Sequence, residues 1–284
     1  MSDELVVAGV NGTEGSNMAV RAAVHAARER RCALRLVTAY GYAETVDPDL
    51  SVIRAARHEA RAWLTRAVEI VRRLRPELPV TADVVAGEVM PVLERESKSC
   101  SLLVVGSRQL HRVGSVVKAS VGTRLAATSH CPTMVILGAG VNDATAPVLA
   151  GVDGSAATAG VIRFALAEAH RRGRPLRLVS CLGNMPRLPP AADTARSRAE
   201  LSRSIADLLE HLRPARPAQP STTVEIELAD AVETLAARSH AAALIVVGRQ
   251  GAGRRPDTDS TSLGSVSSRL LHHARCPVVV VPPS

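Results

Sequence analysis

The sequence predicts an α/β protein made of two tandem five-stranded parallel-sheet sandwiches, one unit written twice. Three observations carry this. Segments recur in the same order along the chain. VVAGVNGTEGS at Val6–Ser16 matches VLAGVDGSAAT at Val148–Thr158, and SLLVVGSR at Ser101–Arg108 matches ALIVVGRQ at Ala243–Gln250, both at an offset of 142. HCPTMVIL at His130–Leu137 matches RCPVVVVP at Arg275–Pro282, at 145. Within each copy, apolar runs alternate with amphipathic stretches, the pattern of strand–helix–strand units. The length, 284 residues, suits two domains at roughly 150 residues each. The predicted boundaries are 1–138 and 148–284, with 139–147 as linker inside the turn-rich stretch GAGVNDATAP, Gly138–Pro147.

Each element follows from its residues. Val6–Val10 and Val148–Val152 are apolar runs ending in Asn-Gly and Asp-Gly, which signal a turn. A small-residue helix follows, with Val20, Ala23, Val24 and Ala27 at i, i+3, i+4 and i+7 and the same stripe at Ile162, Ala165, Leu166 and Ala169. Second strands are predicted at Leu34–Tyr40 and Leu176–Cys181. Longer helices carry Trp63, Ala67, Ile70, Val71 and Leu74 in one copy and Leu201, Ile205, Leu208, Leu209 and Leu212 in the other, each ending before a proline (Pro76, Pro214). Third strands at Val80–Val85 and Thr222–Leu228 precede short helices near Pro91–Ser99 and Ala231–Ser239. The fourth strands, Leu102–Val105 and Leu244–Val247, are apolar throughout, as strands buried on both faces of a parallel sheet are. Last helices at Val121–Ser129 and Ser265–Ala274 lead through Cys-Pro to final strands Thr133–Leu137 and Val278–Val281.

Composition narrows function. The apolar fraction is 46% and the charged fraction 22%, a globular balance. No apolar run approaches the ~20 residues of a membrane span, and the acidic start MSDEL is unlike a basic secretory leader, so a cytoplasmic protein is expected. Net charge is +8, from 35 basic and 27 acidic residues, with Lys98 and Lys118 the only lysines. Arginines gather where helices end (Arg28, Arg30, Arg31; Arg171, Arg172, Arg174) and complement the helix dipole there. Tyr40, Tyr42, Trp63 and Phe164 are the whole aromatic set, too few for base stacking, which argues against nucleic acid. The five cysteines (Cys32, Cys100, Cys131, Cys181, Cys276) have no CxxC or metal-ligand spacing and read as buried reduced thiols. No metal site and no catalytic constellation is predicted: His111, His130, His272 and His273 lack Ser or Asp partners at suggestive spacing.

Chemistry in an open parallel sheet collects at the carboxyl ends of the strands, where strand order switches. In the second copy the loop after strand four is GRQGAGRRPDTDSTSLGSVSSRLL, Gly248–Leu271. Gly248, Gly251 and Gly253 let backbone approach a ligand closely. Gly264-Ser265 then opens a helix whose free N–H groups favour an anion. Ser265 and Ser267 add hydroxyls, and Arg249, Arg254 and Arg255 add charge. The alternative reading of the same residues is a tight turn before a capped helix. A GxxxxGK[ST] motif is missing, which excludes a P-loop enzyme, and no GxGxxG follows strand one, which argues against a dinucleotide site.

Val-Asp-Gly-Ser after strand one, Gly-x2-Gly…Gly-Ser-Val-Ser before the last helix and the closing Cys-Pro-Val-Val-Val strand resemble the universal stress protein family, over nearly the whole chain and twice. The resemblance implies that family's adenine nucleotide hydrolase-like fold and, in ATP-binding members, a Gly-x2-Gly-x9-Gly-Ser/Thr motif. Carried over, it places Asp153 and Cys181 around adenine, Val247, Gly248 and Gly251 beside ribose, and Gly264, Ser265, Val266 and Ser267 on phosphates. Twelve residues, not nine, separate Gly251 from Gly264; the added Asp257 and Asp259 read first as part of a mobile solvated loop, and otherwise as residues that repel phosphate or help hold Mg2+. The first copy departs further: Asn11 replaces the aspartate, and Gln109 and Ala119 stand where the motif has glycine. Its equivalent residues, Asn11, Ala39, Val105, Gly106, Ser120, Val121 and Gly122, are expected to form a weakened or vacant site. The implied protein is a cytoplasmic ATP-binding stress sensor or regulator, with or without Mg2+, acting on an unidentified protein partner. Its two halves are expected to pair through their last strands as a pseudo-dimer, and a homodimer of the tandem chain is open. The alternatives are an interaction protein that binds no nucleotide, or a very slow ATP hydrolase.

Overall fold

The computed structural model describes residues 4–41, 50–107, 120–137, 145–183, 191–212, 220–252 and 262–283. The chain divides into two compact units, Met1–Gly138 and Ala139–Ser284.

The first unit runs β1 (Leu5–Gly9), α1 (Glu14–Arg30), β2 (Ala33–Tyr40), α2 (Leu50–Leu74), β3 (Val80–Ala86), α3 (Val89–Glu96), β4 (Leu102–Gly106), α4 (Val121–Thr128) and β5 (Thr133–Ile136). Its strands are all parallel, in the order β3-β2-β1-β4-β5. The second unit repeats the plan with β6 (Val148–Gly151), α5 (Thr158–Arg172), β7 (Leu176–Cys181), α6 (Ala191–Leu212), β8 (Thr222–Glu227), α7 (Ala231–Arg238), β9 (Leu244–Gly248), α8 (Ser265–His273) and β10 (Val278–Val281). Its order is β8-β7-β6-β9-β10, again parallel. Strand order therefore reverses between β1 and β4, and between β6 and β9. The predicted fold class holds in both copies.

Burial follows the apolar pattern. Val6, Val7 and Ala8 of β1 and Leu102, Leu103 and Val104 of β4 are fully buried, as central strands covered on both faces must be. The predicted stripes of α1 and α5 are buried at every named position. On α2 the stripe is rotated from the predicted one: Ala60, Leu64, Ala67 and Val71 are buried, while Trp63, Ile70 and Leu74 lie half-buried beside them. Small residues let the helix approach the sheet, so the large ones move to its flanks. The helix α3 begins at Val89, two residues before the predicted Pro91, because proline lacks only an N–H that the first turn leaves unpaired anyway.

Charges near the helix ends do more than face the dipole. Glu168 is fully buried and held by Arg171 and Arg172, each at 3.1 Å. Among the described residues no helix is long and apolar enough to cross a membrane.

Candidate functional site

A cavity of ≈ 330 Å³ opens in the second unit at the carboxyl ends of β6 and β9, where the strand order reverses. Nine of the ten predicted residues line it: Asp153, Cys181, Val247, Gly248, Gly251, Gly264, Ser265, Val266 and Ser267. The tenth, Gly253, lies outside the described residues, as do Arg254, Arg255, Asp257 and Asp259.

The turn after β6 places Asp153 at the mouth. Gly154 has φ +75, a left-handed conformation that suits glycine and returns the chain toward α5. Asp153 Oδ1 accepts from the Ser155 amide at 3.0 Å and the Thr158 hydroxyl at 3.4 Å, and Oδ2 accepts from the Ala252 amide at 2.6 Å. A carboxylate offers about four lone-pair sites, so Oδ2 keeps the capacity to accept one more donor. A side chain at Gly251 would overlap Asp153 Oδ2; glycine there is what lets the loop close on the aspartate.

The start of α8 forms the opposite wall. Its N-cap, Gly264, supplies no side-chain hydrogen bond, so the first-turn N–H groups, with the positive end of the helix dipole, are left to whatever enters the cavity. The loop beneath is braced internally: Gly264 N–H donates to Arg249 O at 2.8 Å, and Gln250 Nε2 donates to Ser262 O at 3.0 Å. Ser267 is buried, and its hydroxyl donates to Arg249 O and Gly264 O, both at 3.0 Å. It braces the loop, whereas Ser265 is exposed at the mouth. At the far end, Cys181 closes β7 beside Arg238, which binds both Glu225 and Glu227. Burial pushes the Cys181 thiol up, which keeps it protonated.

Equivalent residues in the first unit sit at the same strand ends with different partners. Asn11 Oδ1 accepts from the amide and hydroxyl of Thr13, at 3.2 and 2.7 Å, and Thr13 in turn caps α1. Ser120 is the N-cap of α4 and accepts from Thr123 N–H at 3.1 Å. That helix end is satisfied by its own serine, whereas α8 starts one position earlier in the repeat and uses glycine. Ala39 and Val105 belong to β2 and β4, and Val121 begins α4. Gly122 is buried, with room for a Cβ only 3.0 Å from Val135.

A further difference went unread in the sequence. α1 begins two residues earlier in the repeat than α5 and brings Gly15 against the end of β4. A Cβ on Gly106 would overlap Gly15 O, and one on Gly15 would meet Ser107 O at 2.8 Å. The second copy has Ala157 opposite Gly248, whose own Cβ would stand 3.0 Å from the alanine methyl. Backbone thus packs on backbone in the first unit where the second keeps a methyl group's width. The Gly15/Ala157 difference was the available signal. Gln109 and Ala119, the expected obstacles, lie outside the described residues.

Two cysteine expectations are corrected. Cys100 and Cys181 are partly exposed, not buried: one lies in the connection before β4 and the other at the cavity end of β7. Cys32, Cys131 and Cys276 are buried, and all five are free.

Comparison with known proteins agrees with this architecture. The sequence profile of the universal stress protein family matches residues 4–136 and again 145–282. A universal stress protein of Mycolicibacterium smegmatis is 31% identical over 240 residues, spanning 82% of this chain and 80% of its own. One from Mycobacterium tuberculosis is 28% identical over 292 residues, spanning 97% and 95%. The crystal structure of a universal stress protein from Archaeoglobus fulgidus superposes with a TM-score of 0.73 at 16% identity, covering 100% of this chain and 97% of that one, a likeness of fold. With two family-sized repeats matched end to end, the chain belongs to the universal stress protein family as a tandem member.

Proposed function

We propose that the second unit binds an adenine nucleotide, ATP, and that the protein acts as a nucleotide-dependent sensor or regulator in a stress response. The observation that carries this reading is the open N-terminus of α8: a glycine cap, no side-chain hydrogen bond and a cavity in front of it. Triphosphate suits such an end because N–H groups and helix dipole both favour negative charge. The remaining lone pair of Asp153 would accept from the adenine amino group, and Val247, Gly248 and Gly251 would flank the ribose. The cavity volume falls at the small end of the ~300–1,000 Å³ range of ligand pockets, so the open mouth would leave the outer phosphates near Ser265. Nucleotide would act as a ligand that contacts the loop after β9 and changes the surface offered to a protein partner. No residue is assigned to hydrolysis.

The test is direct. Mass spectrometry of small molecules released from the purified chain, followed by isothermal titration with ATP, is expected to return an adenine nucleotide and one site per chain. A chain that releases none and gives no heat with ATP, ADP, AMP or cyclic AMP would instead be an interaction protein built on the same fold.

A further inference from the structure

We propose that Cys100 and Cys131 form a redox-active dithiol in the first unit, closed to a disulfide by a hydroperoxide and reopened by a small thiol. Their sulfurs stand 3.4 Å apart although 31 residues separate them in sequence. Parallel pairing of β4 with β5 (Leu103 opposite Thr133) brings together the two connections that lead into these strands. Both cysteines lie in those connections, outside the strands. A disulfide needs about 2.05 Å, so the sulfurs have roughly 1.4 Å to close. The second unit has Ala242 in place of Cys100 and retains Cys276 in place of Cys131; the device belongs to one copy only.

The surroundings favour one thiolate. The two sulfurs share one S–H···S contact, and keeping its proton on Cys100 holds the Cys131 thiol below its ordinary range and the Cys100 thiol above it. Ser129 Oγ lies 3.6 Å from the Cys131 sulfur and adds to the effect. Thiolate is the reactive form. Cys131 is 5% exposed and Cys100 more so, so the oxidant has to be as small as hydrogen peroxide.

The chemistry balances in two steps. Cys131 Sγ attacks a peroxide oxygen; the O–O bond breaks, hydroxide leaves, and the sulfur becomes a sulfenic acid. Cys100 Sγ then attacks that sulfur. The S–S bond forms, the S–O bond breaks, and hydroxide departs with the Cys100 proton as water. Two thiols and one hydrogen peroxide give one disulfide and two waters, the thiols losing two electrons to the peroxide. Two equivalents of a small thiol reverse the closure by exchange, leaving as their own disulfide.

The full-length chain is treated with hydrogen peroxide, its free thiols are blocked with iodoacetamide in denaturant, and trypsin is added. Cleavage at Lys98, Arg108, Arg124 and Arg163 places the cysteines in separate peptides, Ser99–Arg108 and Leu125–Arg163. The expected product is those two peptides joined, two hydrogens lighter than their sum and separated by dithiothreitol. Oxidation is expected to raise a melting transition by roughly 5 °C or more, since the link restrains the unfolded chain. Cys100→Ala copies the second unit and is expected to fold. It should lose the linked peptide and the thermal shift, and Cys131 should proceed to sulfinic acid. Recovery of both cysteines alkylated after peroxide, or over-oxidation of Cys131 at equal rates in wild type and Cys100→Ala, would overturn the proposal. So would a linkage to any other cysteine.

Discussion

Asp153 Oδ2 accepts the backbone N–H of Ala252 at 2.6 Å, across a sequence separation of 99. One carboxylate thereby ties the turn after β6 to the loop after β9 and defines the mouth of the cavity between them. In the first unit Asn11 Oδ1 is instead taken by Thr13, two residues on.

This contrast predicts an asymmetric pair of mutants. Asp153→Ala removes both the loop anchor and the proposed adenine acceptor, and is expected to weaken ATP binding at least tenfold, about 1.4 kcal/mol. Asn11→Ala should leave it within twofold. Equal losses in isothermal titration would place binding in both units or in neither.

The caps of α4 and α8 predict a trade between stability and binding. Gly264→Ser would imitate Ser120. Its Cβ would lie 3.4 Å from Arg249 O and Gln250 Cα, ordinary contact, and the backbone has φ −65. The hydroxyl is expected to take the Ser267 N–H and add a few tenths of a kcal/mol, visible as a slightly higher melting midpoint without ligand. Because it fills the helix end, ATP affinity should fall tenfold or more. Unchanged affinity in a more stable variant would move the phosphates away from α8.

Packing at the ends of β4 and β9 predicts unequal costs for one substitution. Gly106→Ala forces a methyl group into Gly15 O, which is backbone and cannot swing aside. Gly248→Ala meets the Ala157 methyl at 3.0 Å and Gln250 O at 3.2 Å, an approach that small shifts relieve. Urea unfolding is expected to show a loss of about 1–3 kcal/mol for the first change and a smaller one for the second. The reverse ranking would contradict the close backbone approach in the first unit.

Cys276 predicts an alkaline dependence. It is fully buried, and burial pushes its thiol up to about 12. An unfolded cysteine ionises near ~8.5. The folded pKa is raised, so this contribution is fully present below pH ~8.5 and is lost as pH rises from there through about 12. Urea midpoints at pH 8 and pH 10.5 should therefore diverge in wild type more than in Cys276→Ala, which starts lower but lacks this slope. Equal slopes would show that Cys276 does not stay protonated in the fold.

The elements were legible because apolar spacing and burial share one cause. Val6–Ala8, Leu102–Val104 and the stripe Val20, Ala23, Val24, Ala27 read as core and are core. On α2 the spacing predicts Trp63, Ile70 and Leu74 in the core, whereas the fold buries Ala60 and Leu64 beside Ala67 and Val71, because size at the interface depends on the sheet it meets. Nine of the ten residues assigned to the second site converge on one cavity, since a parallel sheet carries the loops after β6 and β9 to the same edge. Ser267 lines that cavity, but the hydroxyl that the sequence offers to phosphate is committed to Arg249 O and Gly264 O, a preference that no local sequence rule states.

The sequence by itself determined the duplication, the order of strands and helices, and the glycine and aspartate positions of the second unit, because these depend on local propensity, periodicity and repetition. Only the tertiary structure decided which polar groups remain available. The serine of one Ser-x-x helix start caps α4 while its counterpart in α8 is displaced by one residue and leaves the helix end open. Cys100 and Cys131, with no spacing to suggest a pair, meet because β4 and β5 lie side by side. Hydrogen-bond partners and close approaches of this kind are set by how separate strands register against one another, and chain-local residue types do not encode that distance.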